Sequence, residues 1–375
     1  MISSRRPVIV VVFVFIFLVL FQTRIFLATP INANGPLTGG ISGIPAPPSN
    51  LPPDNLSKVV VIASTKDEDT SWLEKDVPDV KSVIYKVDDP TAEFTVPMNK
   101  GHEGMVYLTY LIDNYDNLPD VMAFMHAHKI AWHNNDLFAS DAAQMLRALS
   151  APHVKRQGYF NMRCHWDPGC PDWMHPYDPS NRTDISKPEE RELALAFKQI
   201  FPNRDVPETI ATPCCAQFAL SKEAVLKVPI ERLEAYRQWI INTPLHDLVS
   251  GRVWEYLWHY IFTEYTPVVC QAMDKCYCDG YGVCFGGDEA YKNFTDRWND
   301  MRLMQISLSS WTKEFEESKD EMSKPAIGVK DQLERKIKEA SRVVWAQVAE
   351  AKTRGQDPQA RALDSGRKWK PGDGY

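Results

Sequence analysis

The chain has 375 residues, of which 44% are hydrophobic, and it carries a formal net charge of −7 at pH 7. The acidic balance and the lack of a basic stripe exclude a general nucleic-acid binder, and the length allows one large domain plus an extension. No G-x-S-x-G, H-E-x-x-H or G-x-G-x-x-G motif occurs. An α/β-hydrolase, a zincin and a Rossmann dehydrogenase therefore have no support from the sequence.

The N-terminus contains an uninterrupted apolar run at residues 8–21, preceded by Arg5 and Arg6. Counting on to residue 28 gives about 20 residues, the length that crosses a bilayer. The positive flank favours a cytoplasmic tail at 1–7 and a transmembrane signal-anchor at 8–28. We therefore expect a single-pass type II protein in the lipid bilayer of the Golgi or another secretory-pathway membrane. A cleaved secretory signal is the alternative, since the apolar run is short for a span.

Residues 29–57 are rich in Pro and Gly and predict a stem, after which the body of the protein begins. Lys58–Thr65 is a continuous β-branched run that predicts a buried strand, and Ser82–Val87 predicts a second one. A helix after Asn99 is followed by a third strand at Asp120–His126. Strand, helix and strand in this order predict a lumenal α/β layered domain, which we place at 58–318.

Further helices are predicted from Ser caps and apolar periodicity, at Ser140–Leu149, Glu189–Phe201, Ser221–Lys227 and Ser250–Glu264. The extension at 319–375 is highly charged. In it, Lys330–Lys352 predicts a helix with a narrow apolar stripe, and Asp357–Tyr375 has a composition typical of disorder. We therefore expect this extension to be loosely attached, so that deletion of Ile327–Tyr375 leaves the domain intact.

The even number of cysteines, all in the body, predicts disulfide bonds in an oxidising compartment: Cys164, Cys170, Cys214, Cys215, Cys270, Cys276, Cys278 and Cys284. Zinc is disfavoured, because Cys276 and Cys278 have one intervening residue and no C-x-x-C occurs. Cys214 and Cys215 are neighbours and are expected to bond to other partners. Three N-x-S/T sequons are usable in a lumenal chain, at Asn55, Asn181 and Asn293.

The densest group of chemically active side chains lies at the end of the third strand and in the loop that follows. It comprises His126, His128, His133 and Asp136. Ligands of open α/β sheets collect beyond the carboxyl ends of strands, so these side chains predict a site for a divalent metal, a phosphate or sugar hydroxyls. The alternative is that the histidines hydrogen-bond to the loop backbone.

Two further segments are candidates for binding a nucleotide diphosphate. The turn formed by Asn99, Lys100, Gly101, His102 and Glu103 opens a helix, where free N–H groups suit an anion. A simple capped helix start is the alternative. Asp67 and Asp69 follow the first strand in a D-x-D pattern typical of metal–diphosphate binding, with a solvated loop as the alternative.

Glu255 and His259 lie four residues apart in an aromatic-rich segment, which places them on one face of the predicted helix. Glu255 is the candidate general base, and His259 is a candidate metal ligand or phosphate contact. The alternative is an intrahelical ion pair at a solvated edge.

Five strings resemble a fungal membrane-anchored family of unknown function. They are N-K-G-H-E at 99–103, Y-L-T-Y-L-I-D-N-Y-D-N-L-P-D at 107–120, F-M-H-A-H at 124–128, C-C-A-Q-F at 214–218 and G-R-V-W-E-Y-L-W-H at 251–259. The resemblance spans about residues 58–284. That family is in turn distantly similar to nucleotide-sugar glycosyltransferases of the GT-A type.

This resemblance implies a GT-A-like layered α/β/α domain, a nucleotide-sugar donor, a divalent metal such as Mn or Mg, and a glycan or glycoprotein acceptor. His126-Ala127-His128 occupies the place where those enzymes carry D-x-D. The other hypotheses are a non-catalytic lumenal binding or adaptor protein with the same fold, and a secreted metal-dependent hydrolase built on the same histidines.

Overall fold

The computed structural model describes residues 55–178 and 187–375, all of which belong to one compact unit. The predicted anchor, most of the stem and the sequon at Asn181 lie outside these ranges. Within them, no helix is both long enough and apolar enough to cross a membrane.

The domain is built on a five-stranded sheet with strands β1 (Lys58–Ser64), β2 (Lys81–Lys86), β3 (Val121–His126), β4 (Tyr159–Asn161) and β5 (Phe218–Ser221). The strand order is β2-β1-β3-β5-β4. β1 runs parallel to β2 and β3, whereas β5 is antiparallel to both β3 and β4. The three strands predicted from apolar runs are confirmed and form the parallel part of the sheet.

The helices are α1 (Trp72–Asp76), α2 (Glu103–Asp113), α3 (Ala142–Ala148), α4 (Ala151–Gln157), α5 (Glu190–Ile200), α6 (Lys222–Leu226), α7 (Ile230–Asn242), α8 (Asp247–Glu255), α9 (Trp258–Phe262), α10 (Met273–Lys275), α11 (Asp288–Glu317), α12 (Ile327–Arg354) and α13 (Pro358–Asp364). Short 3₁₀ turns lie at Tyr115–Asn117, Asp136–Phe138 and Glu321–Ser323, and a π-helix spans Cys276–Gly280.

The sheet has a hydrophobic core on each face, because successive strand residues point to opposite sides. Val59 and Val61 of β1 pack on one face against α2, α7, α8 and α9. Val60 and Ile62 pack on the other face, in a core shared with α3, α4, α11 and α12. The predicted α/β fold class is confirmed, with helices packed on both faces of the sheet.

The expectation that the C-terminal extension is loosely attached is wrong. Val344, Val348 and Ala351 of α12 are buried in the same core as β1, although the apolar stripe is narrow. The segment expected to be disordered forms α13 instead, with Arg361 fully buried. The narrow stripe suffices because it lies directly against the main core.

All eight cysteines are paired, which confirms the predicted disulfide framework. The pairs are Cys164–Cys276, Cys170–Cys270, Cys278–Cys284 and Cys214–Cys215. The expectation that Cys214 and Cys215 bond to other partners is therefore wrong. A turn with positive φ at Cys215 (83°) and at Ala216 (48°) accompanies the bond between these neighbours.

The predicted aromatic helix at Ser250–Glu264 is two helices, α8 and α9, which are separated at Tyr256 and Leu257. Asp141, not Ser140, caps α3 by accepting from the N–H groups of Ala143 and Gln144. The Ser221 cap of α6 is confirmed, since its side chain accepts from Ala224 N–H.

Candidate functional site

The loops that follow β1 and β3 meet at the carboxyl edge of the sheet. The indole N–H of Trp72 donates to the carbonyl of Ala127 over 2.8 Å, and His128 Nε2 lies 3.5 Å from Glu68 Oε1. β2 lies on one side of β1 and β3 lies on the other, so the strand order reverses at β1. The carboxyl end of β1 and β3 is therefore a topological switch point. Switch points of open α/β sheets are where ligands bind.

His126, the last residue of β3, uses both of its ring nitrogens. Its Nδ1 lies 2.9 Å from Glu103 Oε1, and its Nε2 lies 2.6 Å from the carbonyl oxygen of Cys215. Both partners are hydrogen-bond acceptors, so both ring nitrogens must donate a proton. His126 is therefore an imidazolium held between the first turn of α2 and the turn before β5.

The two charges of this pair shift each other's pKa. Burial alone would lower the pKa of His126, but the carboxylate of Glu103 outweighs burial and raises it to about 9. Burial alone would raise the pKa of Glu103, but His126 outweighs burial and lowers it to about 2. The carboxylate and the imidazolium thus both remain charged at neutral pH.

The sign of each shift fixes the pH range in which the pair stabilises the fold. The raised pKa of His126 gives a contribution that is complete below about pH 6.5, the ordinary value, and is lost as the pH rises through about 9. The lowered pKa of Glu103 gives a contribution that is present above about pH 4 and is lost as the pH falls through about 2.

Replacing Glu103 by Gln is expected to lower the pKa of His126 from about 9, because burial then acts without the opposing carboxylate. An NMR titration of the imidazole resonances measures this change. Glu68→Gln is the matched control: it alters the partner of the exposed His128 and should leave His126 unchanged. A pKa near 9 in the Glu103→Gln variant would contradict the assignment.

The vicinal disulfide turn connects His126 to Glu255. The N–H of Cys215 donates to Glu255 Oε1 over 2.5 Å. The carbonyl oxygen of Cys215 accepts from His126. One residue of the Cys214–Cys215 turn thus fixes a carboxyl from the end of α8 and an imidazolium from the end of β3. Together with Glu103, these groups form a half-buried cluster of four residues, which we call the Glu255 centre: Glu103, His126, Cys215 and Glu255.

The Glu255 carboxyl has a pKa raised to about 7, first by burial and then by the negative charges of Glu103 and Glu189. The N–H of Cys215 and the charge of His126 act in the opposite direction. Glu189 is itself buried, with Arg252 Nη1 3.4 Å from its Oε2, and burial raises its pKa too. A carboxyl that titrates near neutrality can both accept and return a proton at physiological pH.

His133 borders the centre as a neutral ring. Its ring centroid lies 4.5 Å from that of His126. Burial, followed by the charges of His126 and Arg163, lowers its pKa to about 3. Its Nε2 is buried, and no hydrogen-bond partner for it occurs among the described residues.

The four residues predicted to bind a metal do not gather around one point. His128 is 66% exposed and faces Glu68, whereas Asp136 lies 3.8 Å from His165 and 3.7 Å from Arg302. His126 has no lone pair for a metal, because both of its nitrogens donate. In the described part of the chain, the groups of three potential ligands that lie close together are Cys214, Cys215 and Glu255, and Cys278, Cys284 and Asp364. The cysteines of both groups are disulfide-bonded.

The predicted anion-binding turn at 99–103 is already occupied by a carboxylate of the chain itself. The N–H of Gly101 donates to Asp247 Oδ1, and His102 Nε2 lies 3.4 Å from Asp247 Oδ2. Lys100 donates to the carbonyls of Ile241 and Thr243, while Asn99 is exposed. Of this turn, only Glu103 reaches the Glu255 centre.

Asp67, Asp69 and His259 lie away from this cluster. Asp67 and Asp69 are exposed in the loop after β1, and Asp69 accepts from the N–H of Ser71. His259 is fully buried in α9, and its Nε2 lies 2.9 Å from the carbonyl of Pro267. Burial lowers its pKa to about 4, which is the signature of a neutral core histidine.

The sequence does not predict that the Cys215 backbone is part of the site, nor that Arg163 and Glu189 lie near it. The adjacent cysteines at 214 and 215 were the available signal, since a bond between neighbours fixes a tight turn. Arg163 follows β4, a three-residue strand too short to be recognised from periodicity.

Comparison with known proteins gives a family but no activity. No curated protein matches the chain significantly. No solved structure does so either. The family described as "Protein of unknown function (DUF3431)" matches residues 60–279, which include most of β1, all of β2 to β5 and every residue of the Glu255 centre. The chain therefore belongs to the DUF3431 family.

Proposed function

We propose that this protein is a glycosyltransferase with a GT-A-like fold, which moves a sugar from a nucleotide sugar to a hydroxyl group of a glycan or glycoprotein. The observation that carries the proposal is the Glu255 carboxyl, with its pKa of about 7, beside the switch point of the sheet. General base catalysis is most efficient when the pKa of the base lies near the working pH. The distant similarity of the family that the motifs resemble to GT-A enzymes supports the same reaction class.

In this proposal Glu255 accepts the proton of the acceptor hydroxyl. The hydroxyl oxygen attacks the anomeric carbon of the donor sugar, and the bond from that carbon to the diphosphate oxygen breaks. The nucleoside diphosphate leaves with the bonding electron pair. The N–H of Cys215 holds the carboxyl in place, and the His126 imidazolium partly offsets the charges of Glu103 and Glu255.

The crevice between the β1 and β3 loops is the proposed donor site. Lys86, at the end of β2, orders the β1 loop by donating to Ser64 Oγ over 3.0 Å and to the Thr65 carbonyl over 2.8 Å. The exposed ring of His128 projects at the same edge and can donate a hydrogen bond to a phosphate oxygen. Asp67 and Asp69 remain proposed contacts of the nucleotide because they lie in the same loop.

The divalent metal that the resemblance implies does not fit these side chains. A metal needs ligands with free lone pairs, and His126 donates from both nitrogens. Its proposed companions, His128 and Asp136, pair with different neighbours. We therefore include no step that runs through a metal.

We further propose that residues 8–28 anchor the protein in a Golgi or other secretory-pathway membrane, with the domain in the lumen. The apolar run beside Arg5 and Arg6 supports the anchor. The four disulfides support an oxidising compartment.

A second candidate function is that of a non-catalytic lumenal binding or adaptor protein. The observation in its favour is that His126 and His128 stand in place of the metal-binding D-x-D, with His126 fixed by Glu103 and Cys215. Such a protein would bind a nucleotide sugar or a glycan without turnover.

The test is a screen of the purified full chain against a panel of nucleotide sugars, with calorimetry for binding and release of nucleoside diphosphate for turnover. We expect at least one donor to bind and to be turned over with a glycan acceptor, in EDTA as well as in Mn²⁺. Donor binding without turnover under either condition would favour the binding protein. Turnover that requires Mn²⁺ would contradict the absence of a metal step.

A further inference from the structure

Trp132 is an exposed tryptophan beside the Glu255 centre. Trp132 is 55% exposed. Among the strongly exposed large hydrophobic residues of the described ranges, it is the one tryptophan. It lies in the loop after β3, next to His133. A large exposed aromatic surface at the edge of a polar site is typical of ligand contact.

The loop that carries Trp132 is fixed in place. The guanidinium carbon of Arg163 lies 5.1 Å from the centroid of the indole, and Arg163 also donates to the Trp132 carbonyl over 3.5 Å. The fully buried Asn134 donates to the carbonyls of Lys129 and Ser140 and closes the loop. The indole is therefore held in position before any ligand arrives, which reduces the entropy cost of binding.

A continuous path of contacts joins the indole to the proposed base. The ring of Trp132 lies 5.6 Å from that of His133, and His133 lies 4.5 Å from His126. His126 and Glu255 share the peptide groups of Cys215. A ligand on the indole would thus be linked to the group that accepts the proton through His133, His126 and Cys215.

The position of Trp132 in the sheet favours the acceptor, and not the donor, as the ligand that it contacts. The proposed donor crevice lies between β1 and β3, where Glu68 and His128 meet. Trp132 is stacked instead with Arg163, which follows β4 at the opposite edge of the sheet. His126 and Cys215 of the Glu255 centre come from β3 and from the turn before β5. In the strand order, β3 and β5 lie between β1, which borders the proposed donor crevice, and β4, which precedes Arg163.

We propose that Trp132 is the platform for a pyranose ring of the acceptor, an inference that rests on the proposed transferase function. A pyranose presents an apolar C–H face that can stack on an indole and a rim of hydroxyl groups that need polar partners. Arg163 and Asp136 supply charge at this edge, and the charge of Glu255 also acts on Arg163. The acceptor hydroxyl nearest the base is the one that is glycosylated.

The test compares Trp132→Ala, Trp132→Phe and Ile130→Ala in the full chain. Ile130 is the matched control, since it lies in the same loop and is 58% exposed. With methyl glycosides as acceptors, we expect Trp132→Ala to raise the acceptor KM about tenfold and to leave the donor KM unchanged. Trp132→Phe should restore most of the affinity, and Ile130→Ala should behave like the wild type. Direct binding of the same glycosides, followed by NMR, should show the same order.

The outcomes separate this inference from the proposed function. An unchanged acceptor KM in Trp132→Ala, with an active wild type, would overturn the inference and leave the transferase proposal standing. An increase in the donor KM instead would also overturn it, since a nucleobase would then occupy the indole. If the wild type shows no transfer, the transferase proposal fails, and glycoside binding by NMR decides on Trp132 alone: loss of binding in Trp132→Ala supports the platform, and equal or absent binding overturns it.

Discussion

Deletion of residues 327–375 is expected to abolish the cooperative unfolding transition of the remaining chain. The deleted part contains Val344 and Val348, which are buried in the core that covers one face of the sheet. Burying a valine stabilises a fold by about 1.5–3 kcal/mol, so these two residues contribute about 3–6 kcal/mol. That is a large part of the roughly 5–15 kcal/mol that holds a typical domain together.

The same deletion removes one partner of the buried Asp279 carboxylate and one partner of the Asp279 backbone carbonyl. Asp279 is 3% exposed in its side chain and accepts from Arg367 over 2.8 and 3.0 Å. Its own carbonyl accepts from Arg361 over 2.6 Å, and His153 and Arg156 complete the cluster. Removing Arg367 leaves this buried carboxylate with only Arg156 and His153 as partners, so its charge is less well compensated and the fold is destabilised further.

Calorimetry and near-UV circular dichroism of the truncated chain measure the effect. Asp279→Asn in the full chain should also lower the melting temperature strongly, while Asp296→Asn, at a 62% exposed side chain paired with Lys292, is the neutral control. A melting temperature of the truncated protein within a few degrees of the wild type would contradict the packing described above.

Acid should weaken the same cluster. Burial alone would raise the pKa of Asp279, but hydrogen bonds from His153 and Arg367 outweigh it and hold the pKa below its ordinary value. The contribution of a carboxyl with a lowered pKa is complete above its unfolded value, about pH 4, and is lost as the pH falls further.

Replacement of Glu255 by Gln is expected to reduce turnover about 10²–10⁴-fold, the range over which general bases contribute. The wild-type rate should rise with pH through about 7, since only the deprotonated carboxyl accepts a proton. The rate of the Gln variant should lose this dependence, because no group titrates at that position. Donor binding should be retained, since Gln has nearly the same size and still accepts from Cys215.

The pH profile of turnover is the decisive measurement. Glu264→Gln is the control, because that carboxylate is 77% exposed and pairs with Lys227 at the surface. Turnover in Glu255→Gln equal to the wild type would show that another group is the base. Glu189 would then be examined next, because it too is a buried carboxyl with a raised pKa.

The sequence predicts those elements whose apolar residues follow a simple pattern. β1 was recognised because Val59 to Ile62 form an unbroken run, and such runs occur in strands covered on both faces. α11 was missed, although it has 30 residues, because only four widely spaced residues are buried in it: Tyr291, Phe294, Met301 and Trp311. A helix that contacts the core so sparsely shows little periodicity.

The candidate site was located by its histidines, but their chemistry was not predictable. His126 was expected to hold a metal or a phosphate, and it is instead an imidazolium between Glu103 and Cys215. Cys215 lies 89 residues away along the chain, and only the tertiary fold brings its carbonyl to the ring. The sequence predicts Glu255 as a candidate base. It does not predict the raised pKa of the Glu255 carboxyl, because that shift depends on burial in the folded chain.

The contact between Asp279 and the end of the chain has a consequence for biosynthesis. Arg361 and Arg367 are translated 82 and 88 residues after Asp279, so during elongation the buried Asp279 at first has neither of these partners. α12, which covers one face of the sheet, is also still incomplete at that stage. The sheet and its first helices must therefore stay partly uncovered until residues 327–367 have left the ribosome. A chaperone that shields apolar surface would be needed most in that interval, and termination before residue 327 would yield a chain that cannot close its own core.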